Sequence, residues 1–143
     1  MKYRRSWDLE ARARELVAKF GMSHIKGDRI RCIRSSGSRA RRTLARIHAF
    51  PKVWQVSLGL QPHYVIEFLS ERFDRLSEEE QERVLLHELA HIPKTFSGGL
   101  LFHNSFFEER VRGLMDAKRL ESSGERSGES LKSSAKKDAE EKG

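Results

Sequence analysis

The chain has a single cysteine, Cys32, so no disulfide can form within it. That suits a reducing, cytoplasmic setting, and it excludes a thiolate cluster: a metal site here must be built from histidine and carboxylate. Long apolar runs are also missing. None approaches the ~18 residues that a membrane span needs, so no membrane association is expected. The N-terminus, Met1 to Trp7, is basic, but no apolar stretch follows it, which argues against a secretory leader. Hydrophobic residues make up only 37% of the 143 residues and charged ones 34%, which allows one domain with a real core and a solvated remainder. Acidic residues are scarce early in the chain. Residues 1–60 hold 15 Lys/Arg against 4 Asp/Glu, residues 61–120 hold 8 against 11, and residues 121–143 hold 5 against 6. A basic half beside a mildly acidic one points to a polyanionic partner, DNA or RNA first. Arginine-rich helices that are merely soluble account for the same numbers.

What is present has a readable order. Residues 6–20 form an amphipathic pattern, with Leu9, Ala13, Leu16, Val17 and Phe20 at helical spacing, Ser6 placed to cap it and Gly21 to end it. Residues 28–34 read as a short strand. Ser38 to about His48 reads as a helix whose polar side carries Arg39, Arg41, Arg42 and Arg46, the candidate nucleic-acid contacts. Phe50-Pro51 breaks it. Val53–Leu58 alternates like a strand, and residues 63–69 follow as a second strand packed beside it. Ser77 with Glu80 makes a capping box that opens a helix to about Ile92, before Pro93. A loop with Gly98-Gly99 leads to a second capping pattern, Ser105 to Glu108, and a helix to about Leu120. From residue 121 the composition turns to Ser, Gly, Lys and Glu, which reads as a disordered tail.

The chemistry concentrates in His87-Glu88-Leu89-Ala90-His91, an H-E-x-x-H pattern inside the helix of residues 77–92. Residues four apart on a helix are displaced by about 40° around its axis, so the two imidazoles share a face and can hold one ion. Glu88, beside the first of them, can take a proton from water polarised by that ion. Two histidines leave a catalytic zinc site incomplete, since three protein ligands and one open position are usual. His103, across the Gly-bearing loop, is the favoured third ligand, with Glu108 as the alternative and Glu109 further on. Tyr64 or His63 is a candidate donor to a developing oxyanion. His24, His48 and His63, isolated in other segments, read as surface or hydrogen-bonding residues.

The run His87-Glu88-Leu89-Ala90-His91-Ile92-Pro93, followed by Lys94-Thr95-Phe96-Ser97-Gly98-Gly99 and then His103, resembles metallopeptidases of archaea and their viruses, and more broadly the SprT/Spartan-like zincins. The close match covers about residues 77–115. It implies a zinc-dependent protease, one Zn2+ per chain, with His87, His91 and His103 as ligands and Glu88 as general base, working in the host cell if the source is viral. Spartan-like members cleave proteins crosslinked to DNA, which suits the basic N-terminal half. Two departures stand out: Asn104 follows the third histidine where many SprT-like proteins have Gly, and no Cys-rich zinc module exists.

The expected architecture is α+β: a minimal zincin-like domain over residues 1–120, with a small sheet, the H-E-x-x-H helix and a following helix, and a tail over residues 121–143. The expected function is zinc-dependent peptide hydrolysis, with protein substrates that include nucleic-acid-associated ones. The alternatives are a basic nucleic-acid-binding protein with a structural metal, and a metal-free pseudoenzyme.

Overall fold

The computed structural model describes residues 1–105 and 107–117. Its frame is a four-stranded mixed sheet, β1 (Lys2–Arg5), β2 (Ile30–Ser36), β3 (Ala45–His48) and β4 (Tyr64–Leu69), in the order β1-β2-β4-β3. The two central strands run parallel, with Cys32 opposite Ile66, and both outer strands pair antiparallel. The two-residue period of a strand sends Ile30 and Cys32 of β2, and Tyr64, Ile66 and Phe68 of β4, to one face, where none is more than 1% exposed. Against that face lie α1 (Trp7–Lys19), through Leu9, Ala13 and Leu16, and α4 (Glu78–Leu89), through Leu85, Leu86 and Leu89. A short α2 (Lys52–Leu58) lies between β3 and β4, and α3 (Ser70–Phe73) follows β4, stacking Phe73 on Phe68. A last helix, α5, holds residues 105 and 107–117. The architecture is thus α+β with a small sheet, as the sequence suggested. No helix among the described residues is long and apolar enough to cross a membrane. The expected tail, residues 121–143, lies outside the described residues.

Several local expectations are corrected. The helix expected over residues 38–48 is a loop followed by β3. There Ala45 and Ile47 face the core while Arg46 and His48 face away, a period of two fixed by pairing with β4. Long-range pairing has overridden the helical propensity of Arg, Leu and Ala. The strand expected at Val53–Leu58 is α2, and so β4 pairs with β2 and β3 instead. Pro51 sits in its N-cap position, and Gly59, at φ 67°, takes the left-handed conformation that closes a helix. Ser6 does occupy the N-cap position of α1, but its hydroxyl donates to Asp8 and accepts from Arg34 rather than capping the backbone. The capping box of Ser77 and Glu80 is formed in both directions.

The face of the sheet away from the helices carries a buried acid. Glu67, 2% exposed, accepts hydrogen bonds from Ser35 Oγ at 2.6 Å, Arg46 Nε at 3.0 Å and His48 Nε2 at 2.8 Å. Burial alone would raise its pKa. The bonds from Arg46, Ser35 and His48, with the Arg46 charge, outweigh that and hold it at about 2. Because the folded value lies below that of a free carboxylate, the stabilisation is complete above about pH 5 and drains away as the pH falls towards 2. Glu67→Gln should therefore cost about 2 kcal/mol at neutral pH, with the gap to wild type closing as the medium is acidified. Urea denaturation across that range checks it; a gap that does not change with pH would show that the network contributes no charge-linked stability.

Candidate metal centre

The site begins with the end of α4. The helix finishes at Leu89 rather than near Ile92, and its last turn tightens: His91 N–H donates to Glu88 O at 3.1 Å and Ile92 N–H to Leu89 O at 3.1 Å, both three-residue bonds. His87 therefore stands on the last helical turn and His91 just beyond it. Both sit above a layer of Leu85, Leu86 and Leu89, each 0% exposed.

The loop after α4 returns to it through two bonds made by the same pair of residues. Leu101 N–H donates to His91 O at 2.8 Å, and His91 Nδ1–H donates to Leu101 O at 2.7 Å. The second bond fixes the tautomer and leaves Nε2 of His91 free to act as a ligand atom. The middle of the loop is held as firmly. Gly98 N–H donates to Tyr64 Oη and Tyr64 Oη–H donates to Gly99 O, both at 2.8 Å. Phe50 N–H reaches Gly98 O at 3.0 Å, and Gln55 Nε2 reaches Ser97 O at 2.8 Å. Gly98 is required on two counts: its φ is 107°, and a Cβ there would stand 2.3 Å from Phe50 O. Phe96 adopts φ 47°, rare for a side chain of its size, and is buried against the Tyr64 ring at 5.0 Å.

This loop delivers His103 to His87. Their Nε2 atoms lie 3.1 Å apart, and one nitrogen from each of His87, His91 and His103 falls within 4.8 Å of the others. Tetrahedral ligation at ordinary zinc–nitrogen lengths sets nitrogens roughly 3.3 Å apart, so small ring rotations bring the three onto one ion. The donor set fits a metal: the residues are neutral-capable imidazoles, and burial is the first cause lowering the pKa of both His87 and His91, with the mutual repulsion of the cluster second for His87. Phe107, 1% exposed, backs all three rings. It stacks on His91 at 4.4 Å and meets His103 and His87 edge-on at 4.8 and 5.4 Å.

Glu88 is 8% exposed and its carboxyl has no hydrogen-bond or ion-pair partner among the described residues. Burial alone pushes its carboxyl up to about 7. His87 and Glu88 line a cleft of about 390 Å³ together with Arg83 and Val84 of α4, Arg42, Leu44, Ala45 and Met115. The cleft reaches the start of β3 at Ala45, and the outer edge of β3 carries no further strand among the described residues.

The other candidates stand elsewhere. Glu108 is exposed and is not part of the converging group. Tyr64 is 0% exposed and its hydroxyl proton is committed to Gly99 O, which leaves it none to donate to an oxyanion; His63 Nδ1 bonds Gln61 O. His24 meets Ile92 O and Arg110, and His48 meets Glu67. Arg46 is paired with Glu67, whereas Arg39, Arg41 and Arg42 are exposed on the loop before β3. Two features were missed from sequence. Phe107 was read only as a core residue, although its i+4 spacing from His103 is visible. The cap of α5 is Asn104, whose Oδ1 accepts from Phe107 N–H at 2.8 Å, rather than Ser105.

An α+β domain that gathers three imidazoles beside a buried carboxyl and an open cleft has the make-up of a metal-dependent hydrolase. The chain belongs to the family described as "Putative phage metallopeptidase", whose model matches residues 1–125. Membership implies a metal ion and a protein or peptide substrate. Neither the curated proteins nor the solved structures give a match.

Titration with Zn2+ against a competing chelator tests the ligand set. His103→Ala should weaken binding by roughly a hundredfold or more, and Glu108→Ala by less than about threefold. The reverse order would move the third ligand to the carboxylate.

Proposed function

We propose that the protein is a zinc-dependent endopeptidase, with His87, His91 and His103 as ligands and Glu88 as general base. The observation that carries this reading is the buried Glu88 carboxyl, without a partner among the described residues, which lines the same cleft as His87 of the histidine cluster. Zinc held by three imidazoles supplies an acidified water and a polarised substrate carbonyl. The rest falls to the chain. Leu101 O orients His91, and Phe107 keeps the rings in register. Glu88 takes the proton of the attacking water and passes it to the leaving amine, a task for which a carboxyl near neutral pKa is suited. The substrate backbone, in extended form, adds to the free edge of β3 and lies across the cleft.

The exposed Arg39 and Arg41 support substrates associated with nucleic acid, in keeping with a kinship to SprT/Spartan-like zincins and a place in the cytoplasm. The alternative, a nucleic-acid-binding protein whose metal serves folding, fits less well. A structural zinc is closed by four protein ligands, and three imidazoles converge here among the described residues.

Glu88→Gln separates the two. Cleavage of an unfolded protein substrate should fall by about a thousandfold or more, with zinc content and thermal stability held. Retained cleavage, or loss of the metal, would contradict the role given to Glu88.

A further inference from the structure

The walls of the cleft are chemically uneven. Leu44, Ala45, Val84 and Met115 make an apolar floor, and Arg42 and Arg83 supply two guanidinium groups beside it. Arg83 is already paired with Glu79 at 3.1 Å, an exposed one-turn ion pair. Arg42 is exposed and makes no hydrogen bond or ion pair with any described residue. Its loop is nevertheless held at both ends. Gly37 N–H donates to Glu71 Oε2 at 2.7 Å, Arg72 Nε donates to Ala40 O at 3.1 Å, and Leu69 N–H donates to Leu44 O at 3.0 Å. A cation is thus carried on an anchored segment that lines the same cleft as His87 and Glu88.

An extended peptide on the edge of β3 turns alternate side chains towards this cleft. A side chain that fits must lay a methylene stem on Leu44, Val84 and Met115 and present negative charge to Arg42. Resting on the peptidase reading above, we infer that the cleft selects a glutamate or aspartate of the substrate next to the cleaved bond, with Arg42 as the residue that reads it. The guanidinium offers two N–H groups in the plane of a carboxylate, so the contact is geometric as well as electrostatic. Arg83, shared with Glu79, adds to the field rather than to the contact. A lysine or arginine at the same position meets two like charges and is refused.

The test is cleavage of a mixed peptide library by the zinc-loaded full chain, with cut sites read by mass spectrometry, followed by matched peptides carrying Glu, Gln or Lys at the enriched position. Wild type should show acidic residues enriched at one position near the cut, and a kcat/KM for the Glu peptide about tenfold above that for Gln. Arg42→Gln should bring that ratio close to one, and Arg42→Glu should reverse it in favour of Lys. Arg75→Gln, an exposed position outside the cleft, should leave the ratio as in wild type. The preference should also shrink as salt is raised, since the contact is solvent-facing. Active wild type without acidic enrichment, or an Arg42→Glu profile like that of wild type, overturns the inference and leaves the peptidase reading intact. So does an Arg42 effect confined to DNA binding. Wild type that cuts no peptide with zinc bound overturns both. Circular dichroism of each variant guards against misfolding, and the neutral Arg42→Gln serves if Arg42→Glu does not fold.

Discussion

His91 and Leu101 exchange two hydrogen bonds, one through the backbone and one through the imidazole, and the geometry of the centre depends on that exchange. Without it, residues 97–99 would keep their anchors but the stretch from Leu100 to His103 would lose its tie to the end of α4. With it, the chain leaving α4 is returned to its own end, the His91 tautomer is set, and His103 emerges two residues later within reach of His87. The remaining anchors extend this closure. Tyr64, Phe50 and Gln55 hold Gly98 and its neighbours from the side of the sheet, and Asn104 starts α5 so that Phe107 lands behind the three rings. Positioning comes from backbone groups, the polar side chains of Tyr64, Gln55 and Asn104, and one aromatic plate, so that an ion would need only small ring rotations.

Two buried carboxyls show how surroundings decide chemistry. Glu67 and Glu88 are 2% and 8% exposed, and both lose the solvation that an ionised carboxylate prefers. Glu67 recovers it from Arg46, Ser35 and His48 and stays ionised far into acid; Glu88 has no such partners and is pushed to about 7. The first is a structural charge tied to a sheet face. The second has nothing to offset its burial, and it lines the cleft beside His87.

The pairing of His87 with His91 was legible because it is local. His87, Glu88 and His91 lie within five residues on a helix whose capping box at Ser77 and Glu80 is equally local. The α+β class, α1 and β4 could be read from periodicity for the same reason. What failed depended on distant partners. Arg39 to His48 reads as helical until β4, far along the chain, pairs with β3 and Glu67 takes Arg46 and His48 as partners. Val53 to Leu58 alternates like a strand, yet Pro51 and Gly59 mark it as a helix, and those signals outrank a six-residue alternation. Tyr64 was assigned a chemical task because its sequence position lies near the motif; its hydroxyl is occupied by a loop that sequence could not fold back onto it. Phe107 and Arg42 gain their meaning only from what α5 and the loop before β3 bring beside the cluster.

The central claim is that three imidazoles from two segments close on one ion and leave a position open. X-ray absorption at the zinc edge of the metal-loaded chain measures this directly. The account predicts three histidine nitrogens at about 2.0 Å and one light, non-protein donor. A fourth protein ligand, or a carboxylate oxygen in place of one imidazole, would contradict it.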